Sequence, residues 1–460
     1  MSPIKFGTDG VRGVANQGIL PEDAFAIGLA AGRYIQEQKL KNRVVVGRDT
    51  RKSGSMLGAA LAAGLCSAGV DVDTLGVIPT GAISTITRQN GYSLGFVISA
   101  SHNPAPDNGI KIFAGNGKKL PSDGESRIVA LTSEPFDDRP LGGRVGRIEP
   151  NPTVIQGYLQ FLESIVPERL DGMKIAIDAA HGAGYFFGVQ IFEKLGAQVI
   201  ATGVNPDGVN INEEGGATKP ETIQELTKSS GAVIGIAYDG DADRAVFSDR
   251  QGRLINGDRT MGIWSSHWRA AGQFDPAIIV GTVMSNGAFE SYVRNHGVEL
   301  QRADVGDKYV SALMEKLGAK VGGEQSGHII FSERGPTGDG LVTALELVRV
   351  LRREGRGADS FVDEFENHPQ LLINLKVDRK EGWDTNSAVM AVIQAGQEQL
   401  GDSGRVNVRA SGTQPILRVM VECADAEKRD HVASEIESTL LDQLGGKVYS
   451  KVDLTHALGD

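Results

Sequence analysis

Cysteine is nearly absent: 460 residues carry two, Cys66 and Cys423. Both lie in apolar segments far apart in sequence, which argues against a disulfide and for two buried free thiols. Also missing is any apolar run of membrane-spanning length, and Met1 to Gly10 shows no charged-then-apolar leader pattern. A soluble, cytoplasmic protein with no membrane partner is expected. Basic excess is absent too. Lys and Arg number 47 against 58 Asp and Glu, a net charge of −11, which argues against nucleic acid as a partner. An anionic small molecule stays open, because a local Arg/Lys cluster sets the field inside a cleft whatever the net charge.

What the chain has in quantity is glycine, 60 residues without a collagen-like period, so many tight turns and backbone-lined sites are expected. Its length predicts about three or four domains. One pattern recurs three times: an apolar strand, a glycine-containing turn, a helix, a glycine and another strand. It begins at Val44–Val46, at Ile175–Ile177 and at Ile278–Val280. Such units imply crossover connections in mixed or parallel sheets covered by helices. After Asn367-His368-Pro369 the pattern changes to strands over 371–377, 405–408 and 416–421, with helices over 387–400 and 425–444. The fold expected is α/β: three similar mixed α/β/α domains, then a smaller α+β C-terminal domain. Punctuation places the boundaries at 1–152, 153–255, 256–368 and 369–460.

Four stretches carry chemistry. Ser99-Ala100-Ser101-His102-Asn103-Pro104 follows the apolar strand 94–98. The strand ends there and opens into a tight polar loop, whose serine is either a nucleophile or a turn cap. Asp239, Asp241 and Asp243 follow the apolar run 232–237. In an extended chain, alternate positions face one side, and three carboxylates forced together repel unless a cation neutralises them. Oxygen ligands without His or Cys suit Mg²⁺. An EF-hand is excluded, because Arg244 and Arg250 stand where that loop needs Gly and Glu. Gly322-Gly323-Glu324-Gln325-Ser326-Gly327-His328 offers groups suited to sugar hydroxyls. Arg409-Ala410-Ser411-Gly412-Thr413-Gln414-Pro415 with Arg418 makes a phosphate cradle from backbone N–H groups, hydroxyls and two arginines. A serine, a metal site, a polyol reader and a phosphate cradle together argue for phosphoryl transfer on a sugar phosphate.

Taken with Gly7-Thr8-Asp9-Gly10-Val11-Arg12-Gly13, these stretches resemble the α-D-phosphohexomutases in order and spacing over the whole chain. The resemblance implies four domains around a central cleft, the last small and mobile. It implies that Ser101 is a phosphoserine whose phosphate, with Asp239, Asp241 and Asp243, holds Mg²⁺. Glu324 and Ser326 would read sugar hydroxyls. Arg409, Ser411, Gly412, Thr413 and Arg418 would hold the non-reacting phosphate, with Arg244 a further substrate contact. His102, Lys111 and Arg12 are candidates for proton handling and charge stabilisation. Phospho-Ser101 would donate to O1 of a 6-phosphosugar. The resulting 1,6-bisphosphate would turn end for end and rephosphorylate the serine, and glucosamine or glucose 1,6-bisphosphate would act as activator. A homodimer is compatible with this reading.

Within the family, Gly323–His328 and Val305-Gly306-Asp307-Lys308-Tyr309 resemble the type acting on glucosamine phosphates, which feeds amino-sugar nucleotide and cell-wall synthesis. Mannose and glucose phosphates are the alternative substrates. Gln414 replaces the family's usual Glu, and Lys308 its usual Arg. A phosphatase and an inactive sugar-phosphate sensor are the readings from other classes. The cradle at Arg409 argues against the first, and the complete set of catalytic residue types against the second.

Overall fold

The structure is a computed structural model and describes residues 7, 10–411, 415–455 and 458. Its four sheets follow one another along the chain. The first joins β1 (Val11–Val14), β2 (Arg43–Arg48), β3 (Asp71–Val77), β4 (Leu94–Ile98), β5 (Asp107–Ala114) and β6 (Ile148–Pro150) in the order β1-β5-β4-β2-β3-β6. β2 runs parallel to β3 and β4, while β5 is antiparallel to β4. The second holds β7 (Lys174–Asp178), β8 (Gln198–Thr202), β9 (Ile234–Tyr238), β10 (Ala245–Asp249) and β11 (Leu254–Ile255) in the order β11-β10-β9-β7-β8. The third holds β12 (Ile278–Thr282), β13 (Glu299–Ala303), β14 (Val321–Gly323) and β15 (Ile329–Phe331) in the order β13-β12-β14-β15.

In each of these sheets the parallel strands arise from the expected strand–helix–strand units, and one hairpin then adds an antiparallel strand. The fourth sheet differs. β16 (Gln370–Lys376), β17 (Gly404–Ala410), β18 (Ile416–Cys423) and β19 (Lys447–Asp453) pair antiparallel throughout in the order β17-β18-β16-β19. Helices Ser387–Leu400 and Ala426–Leu444 accompany it, so the C-terminal α+β unit is present as expected. β19 is a strand that the sequence reading did not include.

Side-chain alternation on β4 shows how the cores are divided. Leu94, Phe96 and Ile98 face a core shared with helix Pro21–Glu37, including Ile27 and Ile35, whereas Val97 faces the opposite side. On that second side lies one continuous core. It runs from Ile83 and Ile86 of helix Thr80–Asn90, through Tyr158 and Leu162 of helix Pro152–Ile165, to Leu345 and Val348 of helix Gly340–Glu354. The first three units therefore bury apolar surface against one another. The fourth keeps its own core around Ile373, Val419, Val432 and Ile436. Both cysteines are free and buried. No helix is long and apolar enough to cross a membrane among the described residues.

Candidate active site

Each sheet presents one of the stretches singled out in the sequence on the connection between two antiparallel neighbours. The β4–β5 connection carries Ser101, the β9–β10 connection the three aspartates, the β14–β15 connection Glu324 to His328, and the β17–β18 connection Ser411. A hairpin connection at a sheet end exposes polar side chains and backbone while its two strands hold it rigidly, which suits a functional loop.

Ser101 is buried, with a left-handed backbone at φ 52°. Its Oγ donates to Asp239 Oδ2 at 2.8 Å, and His102 Nδ1 lies 3.5 Å from the same oxygen. The chain returns along β5, where Lys111 pairs with Val97. Lys111 Nζ reaches Asp241 Oδ2 at 2.8 Å and Asp243 Oδ2 at 3.2 Å, so a buried ammonium partly neutralises the acidic turn.

The three carboxylates are buried and converge, with one oxygen from each within 4.8 Å of the others. The route differs from the sequence expectation. Residues 239–244 form a turn rather than an extended strand, and Ala242 sits at φ 55°. The tight turn brings the aspartates together, not strand alternation. Burial, then the charges of Asp243 and Asp241, push the Asp239 carboxyl well above its usual range. Burial acts in the same direction on Asp243, but Lys111 and His328 outweigh it and hold that carboxyl well below its usual range. Asp241 Oδ1 is buried and has no hydrogen-bond partner among the described residues, although Thr80 Oγ1 donates to Oδ2 at 2.6 Å. Asp243 Oδ1 likewise has no hydrogen-bond partner among the described residues, and three converging carboxylates with two such oxygens form a donor set that a hard divalent cation fits.

A cavity of about 290 Å³ opens above these groups. Arg12, Ser101, His102, Asp243, Arg244, Glu324 and Ser326 line it, so segments of three sheets meet at one space. Arg244 N donates to Asp239 Oδ1 at 3.1 Å, and Glu324 Oε1 accepts from Gly306 N at 3.0 Å. Three further residues at this site were not assigned roles from the sequence. His328 lies 3.6 Å from Asp243 Oδ1 and 3.7 Å from Asp307 Oδ2. Burial lowers the affinity of its imidazole for a proton, but Asp243, Asp307 and Glu324 together raise it above the ordinary value. Lys119 pairs with Asp307 at 2.5 Å, tying the first unit to the third across the cavity. Their only sequence signal was the polar loops that contain them.

The C-terminal residues lie apart from this cavity lining. Arg409 and Arg418 are direct cross-strand partners on β17 and β18, and neither has an ion pair among the described residues. Burial, then the charge of Arg418, lowers the Arg409 guanidinium's affinity for its proton; Asp304 and Glu324, acting from the third unit, oppose this. Arg418 Nε is buried without a hydrogen-bond partner among the described residues. Ser411 N donates to Ile416 O at 2.8 Å, and Lys380 Nζ donates to Ser411 O at 2.8 Å. Gly412 and Thr413, expected in the same cradle, lie outside the described residues, as does Gln414.

Four domains of the phosphoglucomutase/phosphomannomutase family match this chain in order: alpha/beta/alpha domain I over residues 3–137, domain II over 156–252, domain III over 256–368 and the C-terminal domain over 372–439. The chain belongs to that family. Among curated relatives, a phosphoglucosamine mutase of Symbiobacterium thermophilum is 45% identical over 96% of this chain and 100% of its own length. Another, from Bacillus pumilus, is 42% identical over 96% of this chain and 99% of its own. Among solved structures, a phosphoglucomutase/phosphomannomutase family protein of Burkholderia thailandensis superposes with a TM-score of 0.81 at 24% identity, covering 96% of this chain and 98% of that one. The last likeness concerns the fold. The expected phosphohexomutase architecture, three α/β/α units and a C-terminal one, is thus present.

Proposed function

We propose that the protein is a phosphoglucosamine mutase, interconverting glucosamine 6-phosphate and glucosamine 1-phosphate. The observation that carries the chemistry is Ser101 Oγ hydrogen-bonded to Asp239, with Ser101 and Asp243 of the three-carboxylate turn lining one cavity. The substrate assignment draws on relatives more than 40% identical over nearly their whole lengths.

In this reading Ser101 carries the phosphoryl group. Asp239, Asp241 and Asp243, with an oxygen of that group, would hold Mg²⁺, whose charge when bound lowers the barrier to moving a phosphoryl group. Arg12 and Arg244 line the cavity and stabilise charge on the transferring group. His102, Lys111 and Arg12 are the candidates for proton handling and charge stabilisation at the attacking hydroxyl. Glu324 and Ser326 orient the sugar from the third unit.

The phosphoryl group leaves Ser101 Oγ as a bond forms to the sugar O1, and the O1 proton passes to the base. The 1,6-bisphosphate then presents its other phosphate, and the serine takes that one back. Glucosamine or glucose 1,6-bisphosphate, supplied directly, phosphorylates Ser101 and so activates the enzyme. Arg409, Ser411, Gly412, Thr413 and Arg418 grip the phosphate that is not reacting. We take the units as 1–152, 153–255, 256–368 and 369–460, working in the cytoplasm and compatible with a homodimer.

A coupled assay with glucosamine 6-phosphate, glucose 1-phosphate and mannose 1-phosphate tests the assignment. Clear preference for the amino sugar is expected. Comparable turnover of all three, or turnover of the neutral sugars alone, overturns it.

A further inference from the structure

Non-glycine residues rarely adopt left-handed backbone, because Cβ then crowds the carbonyl. Seven do so among the described residues, and five of these, Ser101, Ala180, His181, Asn212 and Ala242, belong to segments that touch one another around the nucleophile loop. Conformations of this kind persist where surrounding contacts over-determine them.

The contacts converge on Asn212, in the segment between β8 and β9. Its side-chain Nδ2 donates to the carbonyl of Ser101 at 2.9 Å and to the carbonyl of Asn103 at 3.0 Å. Arg51, wholly buried and paired with Asp49, sends Nη2 to the same two carbonyls, at 3.0 Å for Ser101. The Asn212 backbone N–H is itself anchored on Ala180 O at 3.0 Å. The acidic turn closes the junction: a Cβ on Gly240 would lie 2.6 Å from Asn212 Nδ2 and 2.7 Å from Ser101 O. Nucleophile loop, clamp and metal turn are in contact with no slack between them.

We infer that Asn212 is a positioning residue for phosphoryl transfer. From the second unit it fixes two carbonyls of a loop in the first, and with them the placement of Ser101 Oγ on Asp239. The inference rests on the reading of Ser101 as phosphoryl carrier. Its chemical consequence concerns the acceptor. Transfer to the sugar breaks the bond from phosphorus to Ser101 Oγ and forms one to a sugar oxygen, whose proton goes to the base. Transfer to water breaks the same bond and yields free Ser101 and inorganic phosphate. Sugar transfer needs one alignment of donor and acceptor, and a small misplacement costs on the order of 10²-fold. Water approaches from many directions and is less sensitive. Loosening the clamp therefore slows mutase turnover and raises the share of phosphoryl groups lost to water.

Asn212→Gly tests this, since glycine suits φ 59° and the substitution removes the side chain that donates to both carbonyls. Full-length wild type and variant are compared with Mg²⁺ and glucose 1,6-bisphosphate present. The measurements are kcat, KM, phosphate released per turnover, and hydrogen exchange of the peptide spanning 99–107. Expected are a fall in kcat of about 10- to 100-fold, KM little changed, more phosphate per turnover and faster exchange in that peptide. Asn212→Asp, which turns an acceptor toward two carbonyls, should be worse, and Asn212→His, which keeps an N–H donor, should recover part of the loss. Wild-type kcat in Asn212→Gly overturns the inference. So does lost turnover with unchanged phosphate release, or a variant that does not fold, because Asn212 would then hold the fold rather than the loop. A wild type without phosphoserine would instead sink the mutase reading and is scored separately.

Discussion

Replacing Arg418 by alanine distinguishes a phosphate cradle from a structural arginine, and the two predict opposite effects on stability. Arg409 and Arg418 face each other across β17 and β18, both half-buried and with no carboxylate paired to either among the described residues. Like charges held side by side oppose folding; burial first, and the charge of Arg418 second, lower the Arg409 guanidinium's affinity for its proton. A dianionic phosphate would relieve that repulsion. Removing Arg418 should therefore leave the melting temperature of the ligand-free protein unchanged or slightly raised. The variant should lose at least one charge-assisted hydrogen bond to the sugar phosphate, about 1.5–3 kcal/mol, which is roughly 10- to 150-fold in affinity.

Because the cradle would serve whichever phosphate is not reacting, KM should rise by a similar factor in both directions. Inorganic phosphate should raise the melting temperature of the wild type more than that of the variant. Steady-state kinetics in both directions, run beside thermal melts with and without phosphate, provide the check. A variant that melts several degrees lower with an unchanged KM would refute the cradle. A KM increase confined to one direction would refute its sharing between the two orientations of the intermediate.

Three other outcomes are expected. Ser101→Ala should fold normally, lose nearly all mutase turnover and show no phosphorylated species by intact-mass spectrometry; the same phosphorylated fraction as wild type would place the phosphate elsewhere. Asp241→Asn, which weakens the grip of three converging carboxylates, should shift the Mg²⁺ dependence strongly and cut turnover by orders of magnitude; wild-type turnover after chelation of Mg²⁺ would remove the metal site from the mechanism. Asp339 is wholly buried, accepts from Tyr158 OH at 2.8 Å and caps helix Gly340–Glu354, and burial above all raises its carboxyl to about 6 from 3.8. The folded protein thus binds the extra proton between those values, so this stabilisation is full below the unfolded pKa and is lost as pH rises through about 6. Between pH 5 and 7.5 the loss is on the order of 1 kcal/mol, and Asp339→Asn should flatten the pH dependence of urea midpoints; an undiminished slope would assign it to other groups.

The order of elements was largely legible in the sequence, because each of the first three units opens with a β-branched run followed by a glycine turn, as at Val44–Val46 and Ile278–Val280. The site residues on hairpin connections were legible for a similar reason: polar side chains right after a buried strand stand out. What did not show was how distant pieces touch. The acidic turn was read as extended, since nothing local announces that Ala242 takes a left-handed backbone, with its carbonyl accepting from Gly340 N of a distant helix at 2.9 Å. Asn212 and Arg51 act on carbonyls of another segment, and a carbonyl leaves no trace in a residue pattern. β19 alternates little and pairs with β16 from far along the chain, so its pairing rather than its composition makes it a strand.

The hydrogen bond between Ser101 and Asp239 joins residues 138 positions apart, and the sugar loop at Glu324 lies further along still. A chain released early from the ribosome, or clipped between β5 and β9, would carry the serine without the carboxylates. On the proposed mechanism, the transfer site would therefore be complete only once synthesis has passed the acidic turn and the serine loop has met it.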